Sequence, residues 1–217
     1  MNKAGTKSIS KKRLAAAFFR TAAALVVLFF PARVDAHLVT TGLGPVYDGI
    51  GHFFLSPGDA LSALALALLA GLRGTAAGRR ALFILPVAWL AGGLTGLTTT
   101  GWTSLPEEIV DALSLLLLGI FIATDIALPA VVVAILAALI GGAHGFLNGL
   151  GMYEAGMGRG VLQLIGVAVT LFVLVALAAA LAVTAKPLWA RIAVRVAGSW
   201  IGATGVLWTG WVLHGLK

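Results

Sequence analysis

Long apolar runs constrain the fold of this chain more than any other feature of its sequence. A helix needs about 20 predominantly apolar residues to cross a bilayer. Six runs of roughly this length follow one another, separated by charged or Gly- and Pro-containing breaks, at approximately residues 56–73, 80–98, 107–125, 127–149, 160–184 and 189–214. We therefore predict an all-α, polytopic membrane bundle of about six transmembrane helices.

The composition supports a membrane protein and argues against a nucleic-acid partner. Hydrophobic residues make up 60% of the chain and charged residues 11%, and the mean hydropathy is +1.04, which is outside the range of soluble domains. The net charge of +7 is concentrated in residues 1–36, which hold seven of the fifteen Lys and Arg. Without that segment, eight basic and seven acidic residues remain. The predicted partner is therefore the lipid bilayer, with no nucleic acid.

Residues 1–36 have the pattern of a cleavable signal peptide. A basic region extends to Arg20, an apolar run covers residues 21–30, and Val34 and Ala36 provide small residues at −3 and −1. Cleavage after Ala36 would leave residues 37–217 as a single six-span domain beginning at His37. The alternative is an uncleaved anchor over residues 14–30. Both interpretations export the segment that follows.

The distribution of basic residues predicts the orientation. Arg73, Arg79 and Arg80 follow the first run, and Lys186 and Arg191 lie between the fifth and sixth runs, which marks these two links as cytoplasmic. We therefore expect a bacterial inner-membrane protein whose mature N- and C-termini are periplasmic. This arrangement requires a chain reversal within residues 123–129, and it places the following residues at the outer end: His37, Asp48, His52, Asp59, His144 and His214.

Residues 47–59 form the first of two stretches that contain candidate functional side chains. In a helix, Asp48 and His52 would lie on one face at i,i+4, and Asp59 would lie about two turns beyond. Ser56 and Pro57 interrupt this helix, because Pro57 suits the first turn of a new helix with Ser56 as its N-cap. Asp59 would then lie in the first turn of the new helix, where a carboxylate stabilises the helix start, and this role is an equal alternative to metal binding. We predict a half-helix or re-entrant segment over residues 42–55; the alternative is a periplasmic surface helix.

The second stretch lies at the end of the fourth run. His144 and Asn148 are again at i,i+4, and the surrounding glycines favour close helix packing. An ionisable residue inside a span indicates a functional site. The alternative is a buried histidine that hydrogen-bonds to a neighbouring helix.

These residue types indicate a site for a transition metal. The chain has no cysteine, so imidazole, carboxylate and amide groups would supply the ligands, and this set suits Ni, Co, Zn or Cu(II). We predict His52, Asp48, Asp59 and His144 as ligands, and Asn148 as a group that orients an imidazole. A freed N-terminal His37 would chelate Cu(II) separately.

Three short pieces resemble the HupE/UreJ permeases, which are associated with nickel supply to hydrogenase and urease. They are Ala36-His37-Leu38, the segment over residues 42–59, and Ala143-His144-Gly145-Phe146. Better-known members carry His-Pro-x-x-Gly-x-Asp-His in the first motif. Here His52 and Asp59 are one residue further apart, and Ala60 replaces the second histidine. In a later His-Gly-x-x-His-Gly pattern, Asn148 replaces the second histidine, so the chain resembles a divergent branch.

The resemblance and the residues together predict a permease that captures a divalent transition metal at an outer-face His/Asp site. Nickel or cobalt is the expected substrate, with copper or zinc as alternatives, and no organic cofactor is implied. A metalloenzyme maturation client is the expected protein partner. The sequence carries no H-E-x-x-H motif, no apparent Ser/His nucleophile and no nucleotide-binding loop, so we do not predict an enzyme. The alternatives are a non-transporting accessory protein, with copper bound through His37, and a membrane metalloenzyme or haem protein.

Overall fold

The computed structural model describes residues 40–100 and 107–215. Within these ranges the chain forms seven α-helices and no strand, which confirms the predicted all-α class. The helices are α1 (Pro45–Leu55), α2 (Pro57–Leu72), α3 (Thr75–Thr98), α4 (Glu107–Thr124), α5 (Ala130–Met152), α6 (Met157–Thr184) and α7 (Leu188–Gly215), with a short 3-10 turn at Tyr153–Ala155. The predicted signal peptide and His37 lie outside the described residues.

Helices occupy all six predicted apolar runs, although not all six meet the requirements for an independent span. By length and composition, α3, α5, α6 and α7 are each sufficient to cross a membrane. Helices α1 and α2 meet the requirement together, as one bent unit. Helix α4 carries Glu107, Glu108 and Asp111 within its 18 residues, and charged groups are costly at membrane depth. The chain is thus a polytopic membrane protein, while the count of six crossings stays a prediction.

The break between α1 and α2 lies at the predicted residues. Ser56 has extended backbone angles, with φ −99° and ψ 90°, and Pro57 is the first residue of α2. Proline fits a first turn because its missing N–H would have no intrahelical partner there. The axes of the two helices differ by 79° at this point. The chain therefore turns sharply just before Asp59.

Helix α2 lies at the centre of the bundle. It packs against α3, α4, α5 and α6, and most of its residues from Gly58 to Gly71 are buried. Small side chains dominate this helix, including Ala63, Ala65 and Ala67. Small residues let neighbouring backbones approach closely, which is how helices associate where water provides no hydrophobic driving force. Any polar group on the first turns of α2 is consequently surrounded by other helices.

Helices α3 and α5 form the most extensive helix pair, and glycines make this packing close. On α5, a methyl group added at Gly141, Gly145 or Gly149 would overlap the carbonyl group of Leu85, Trp89 or Gly93 on α3, respectively. The predicted role of the glycines around His144 is therefore confirmed. Their spacing of four residues places them along one ridge of the helix.

An ionic cluster lies at the opposite end of the bundle from Asp59. Arg73, at the end of α2, forms an ion pair with Asp125 in the link between α4 and α5, and Arg191 at the start of α7 lies 3.0 Å from the other Asp125 oxygen. Asp125 has φ +52°, and it lies in the predicted reversal between Thr124 and Ala130. Helices α4 and α5 run in opposite directions, because Ser114 in the first half of α4 contacts His144 in the second half of α5.

Candidate metal centre

Three side chains that can bind a metal converge where α2, α4 and α5 meet. Asp59 lies in the first turn of α2, Asp111 near the start of α4, and His144 towards the end of α5. One ligand atom from each lies within 4.8 Å of the other two. Their exposed fractions are 1%, 5% and 1%. The two carboxylates and the imidazole thus form a buried cluster, which we call the Asp59–Asp111–His144 cluster.

Asp59 is held by partners on both of its oxygens. His144 Nδ1 lies 2.7 Å from Asp59 Oδ1, and Asn148 Nδ2 donates to Asp59 Oδ2 at 2.9 Å. Ser56 makes no side-chain capping bond at this helix start. The side chain of Asp59 therefore points to α5, and its position in the first turn is only part of its role.

The hydrogen-bond partners of His144 define which ring nitrogen carries hydrogen. A carboxylate oxygen only accepts hydrogen bonds, so Nδ1 donates to Asp59. Ser114 Oγ lies 3.0 Å from Nε2, and its hydroxyl then donates to that nitrogen. To bind a metal through Nδ1, the neutral imidazole would have to exchange this hydrogen for the ion.

Asp111 is less fully satisfied than Asp59. Its Oδ1 lies 3.6 Å from His144 Nδ1, and this buried oxygen has no hydrogen-bond partner among the residues that the structure describes. A buried acceptor without a partner is costly. Gly58 on α2 leaves the space that the Asp111 carboxylate occupies, because a methyl group at Gly58 would overlap this carboxylate. A bound cation would satisfy this oxygen.

An aromatic wall encloses one side of the cluster. Trp89 on α3 is fully buried, its indole Nε1 donates to Asn148 Oδ1 at 3.2 Å, and its ring centroid lies 5.2 Å from that of His144. Phe53 on α1 packs edge-on against Trp89, with centroids 6.2 Å apart. The indole N–H thereby fixes the amide oxygen of Asn148.

Asp48 has different partners. The backbone N–H and the hydroxyl of Thr41 both donate to Asp48 Oδ1, at 2.6 Å and 2.7 Å. Its Oδ2 lies 3.5 Å from an Arg159 nitrogen on α6. Asp48 is therefore buried between the segment before α1 and the start of α6, and it does not belong to the Asp59–Asp111–His144 cluster.

The other predicted ligands have varied positions. His52 is half-buried on α1 and lies outside the cluster that the three ligand atoms define. Asn148 donates a hydrogen bond to Asp59, whereas the sequence predicts that it orients an imidazole. His214, which is not among the predicted ligands, is exposed at the end of α7. His37 lies outside the described residues.

Sequence reasoning missed three residues around the cluster. Asp111 follows Glu107 and Glu108 in the sequence, and three acidic residues at this position indicate only the start of a helix; Ser114 and Trp89 belong to no recognisable motif. The i,i+3 spacing of Asp111 and Ser114 does place both on one face of α4. That spacing was the available clue, but it did not indicate which helix this face would contact.

Comparisons with known proteins identify the family. A family model described as HupE / UreJ protein matches residues 24–208. No curated protein and no solved structure matches the chain. The match to the family model covers most of the sequence, including α1 to α6 and most of α7. The chain therefore belongs to the HupE / UreJ family, which is associated with nickel and cobalt transport or accessory functions.

Proposed function

We propose that this protein is a membrane permease for a divalent transition metal, nickel or cobalt, and that the Asp59–Asp111–His144 cluster binds the ion during passage. One observation carries the proposal: three buried ligand atoms lie within 4.8 Å of one another. The unpartnered Asp111 Oδ1 supports it. The ion is the substrate of the protein rather than a resident cofactor.

The ligand types favour such ions over calcium or magnesium. One imidazole nitrogen and two carboxylate groups suit Ni, Co, Zn or Cu(II), whereas Ca and Mg prefer oxygen ligands alone. Asn148 acts by holding Asp59 in position. We also propose that His52 and Asp48 on α1 contribute to the path by which the ion reaches the cluster. His37 remains a proposed copper ligand at the predicted mature N-terminus.

The position of the cluster fits uptake from the periplasm. It lies about 21 Å along α2 from Arg73, at 1.5 Å per residue, and Arg73 lies at the end that the basic residues assign to the cytoplasm. In this orientation the protein is a bacterial inner-membrane protein with periplasmic termini. Inward movement gains about 2.3 kcal/mol per elementary charge at 100 mV, so the membrane potential would drive a divalent cation. The protein partner would be a metalloenzyme maturation client.

The proposal is tested by metal uptake into cells that express the protein at matched membrane abundance. We expect His144→Ala, Asp59→Asn and Asp111→Asn to reduce accumulation of nickel or cobalt to the level of cells without the protein. His214→Ala is the matched control, because His214 is an exposed histidine on α7. Cell-associated nickel, cobalt, zinc and copper would be measured by mass spectrometry over the first minutes after addition.

The same experiment separates transport from metal presentation. Purified protein that binds nickel or cobalt through the cluster, without any flux in cells, would contradict the permease and support the accessory alternative. Full uptake by all three cluster variants would show that the ion takes another route. Loss of uptake in His214→Ala as well would show that the effect is not specific to the cluster.

A further inference from the structure

A largely apolar groove runs between α3 and α6 at the end of the bundle that holds Arg73 and Asp125. Its volume is about 540 Å³. It extends from Thr75 and Thr184 at that end to Leu82 and Val175, about 10 Å deeper at 1.5 Å per residue. Small residues on α6, including Ala176 and Ala180, are part of its lining. The groove is therefore wide enough for a hydrocarbon chain and opens on the outside of the bundle.

A second depression of about 460 Å³ adjoins the groove on the other side of Arg79. Its lining includes Ala76, Arg80, Phe83 and Ile84 as well as Arg79 itself. Phe83 also contacts Phe172 on α6, with ring centroids 5.9 Å apart. This aromatic pair marks the deeper limit of the space between the helices. The two spaces thus share Arg79 in their lining.

Both arginines at this rim are available to an external anion. Arg79 and Arg80 are exposed, and neither makes a hydrogen bond or an ion pair within residues 40–100 and 107–215. In contrast, Arg73 and Arg191 at the same end are paired with Asp125. The free guanidinium groups therefore provide uncompensated positive charge where a lipid headgroup would lie, and guanidinium groups bind phosphate through paired hydrogen bonds.

We propose that this surface is a binding site for an anionic diacyl phospholipid. The headgroup phosphate would bind Arg79 and Arg80, one acyl chain would fill the groove between α3 and α6, and the second would occupy the depression beside Phe83. Basic pockets between transmembrane helices on the cytoplasmic side bind anionic headgroups in this way. The site lies at the opposite end of the bundle from the Asp59–Asp111–His144 cluster, so the proposal does not depend on metal transport.

The test is native mass spectrometry of the full-length protein in mild detergent, with phosphatidylglycerol or phosphatidylcholine of identical acyl chains added. Each basic residue near an anionic surface contributes about fivefold to affinity. We therefore expect the Arg79→Gln/Arg80→Gln variant to bind phosphatidylglycerol about 25-fold more weakly than the wild type. Phosphatidylcholine should bind the wild type more weakly than phosphatidylglycerol.

Two controls distinguish the site from general surface charge and from misfolding. Lys186→Gln/Arg195→Gln removes two cations from the same end without touching the groove, and it should bind phosphatidylglycerol like the wild type. Ala176→Leu/Ala180→Leu should weaken binding by filling the groove while it keeps both arginines. Ala203→Leu, an exposed substitution on α7, is its matched control.

Three results would overturn the proposal. The first is equal phosphatidylglycerol binding by the wild type and Arg79→Gln/Arg80→Gln. The second is an equal loss in Lys186→Gln/Arg195→Gln, which would indicate general attraction to a basic surface. The third is full binding by Ala176→Leu/Ala180→Leu, which would exclude the groove as the acyl-chain site.

Discussion

At the scale of single residues, the site depends on a chain of hydrogen bonds that fixes one carboxylate. Trp89 donates to Asn148, Asn148 donates to Asp59, and Asp59 accepts from His144. Asp59 is thereby positioned before any ion arrives, whereas Asp111 keeps an unpartnered oxygen. The cluster combines one well-oriented carboxylate with one whose unpartnered oxygen a bound cation would satisfy.

Asn148→Ala removes the positioning bond to Asp59 without removing a ligand of the cluster. Loss of an outer partner of a metal ligand typically costs 10–100-fold in affinity, and we expect a decrease of about this size for Ni²⁺. Isothermal titration of the purified protein would measure it. Thermal unfolding without metal checks the fold, and Trp89→Phe, which removes the donor to Asn148 together with part of the buried indole ring, should have a smaller effect on Ni²⁺ affinity. Unchanged Ni²⁺ affinity in Asn148→Ala would contradict the positioning role.

At the scale of helices, the site depends on how closely α5 approaches α3. The ridge of Gly141, Gly145 and Gly149 lets the backbones touch, and His144 and Asn148 lie beside this ridge. Trp89 reaches Asn148 because the two helices are this close. The sharp turn at Ser56 has a similar role for α2, since it starts that helix with Asp59 directed into the bundle.

Gly145→Ala should separate α3 from α5. The added methyl group would overlap the Trp89 carbonyl, and overpacking of this kind costs about 1–3 kcal/mol. Thermal unfolding in detergent would show the loss. Gly142→Ala is the matched control, because a methyl group there meets nothing within 4 Å and alanine favours a helix over glycine by roughly 0.5–1 kcal/mol. Equal stability of the two variants would show that this contact does not limit helix approach.

At the scale of the whole molecule, the two ends of the bundle have different chemistry. One end holds the Asp59–Asp111–His144 cluster. The other end holds Asp125 with Arg73 and Arg191, and the free Arg79 and Arg80. Most of the arginines therefore lie at one end of the helices, which is the pattern expected for a protein with a defined orientation.

The orientation is testable because the sequence has no cysteine. We expect a single cysteine at Glu154→Cys to react with a membrane-impermeant maleimide in intact spheroplasts. Lys186→Cys should react only after the membrane is permeabilised. Both positions are exposed, so labelling reports the side of the membrane. The reverse labelling pattern would place the Asp59–Asp111–His144 cluster on the cytoplasmic side of the membrane and contradict capture of the ion from the periplasm.

Asp125→Asn should weaken the connection between α2, α7 and the link from α4 to α5. The change removes the partner of Arg73 and Arg191, and we expect a loss of about 1–3 kcal/mol, between the values for surface and buried ion pairs. Thermal unfolding at low and high salt would measure it. Glu154→Gln, which neutralises an exposed carboxylate, should leave the stability unchanged; an equal loss in that variant would exclude a specific role for the Asp125 pairs.

Much of the fold follows from local properties of the sequence. Apolar run length predicts the helices, because each helix satisfies its own backbone hydrogen bonds. The Ser56-Pro57 pair predicts the break before α2, since proline restricts the residue before it and favours a first turn. The sequence predicts Asp59, His144 and Asn148 as members of one site, and Asp59 contacts both of the others.

The sequence by itself determined the helical class, the helix breaks and the residue types available for a metal site, because these depend on neighbours within a few turns. Only the tertiary structure decided which side chains meet. It brought Asp111 and Ser114 to His144, placed Trp89 against Asn148, and bound Asp48 to Thr41 instead. Such contacts join residues far apart in the chain, and helix packing selects them through the close fit of glycines and small side chains, which hydropathy and spacing do not encode.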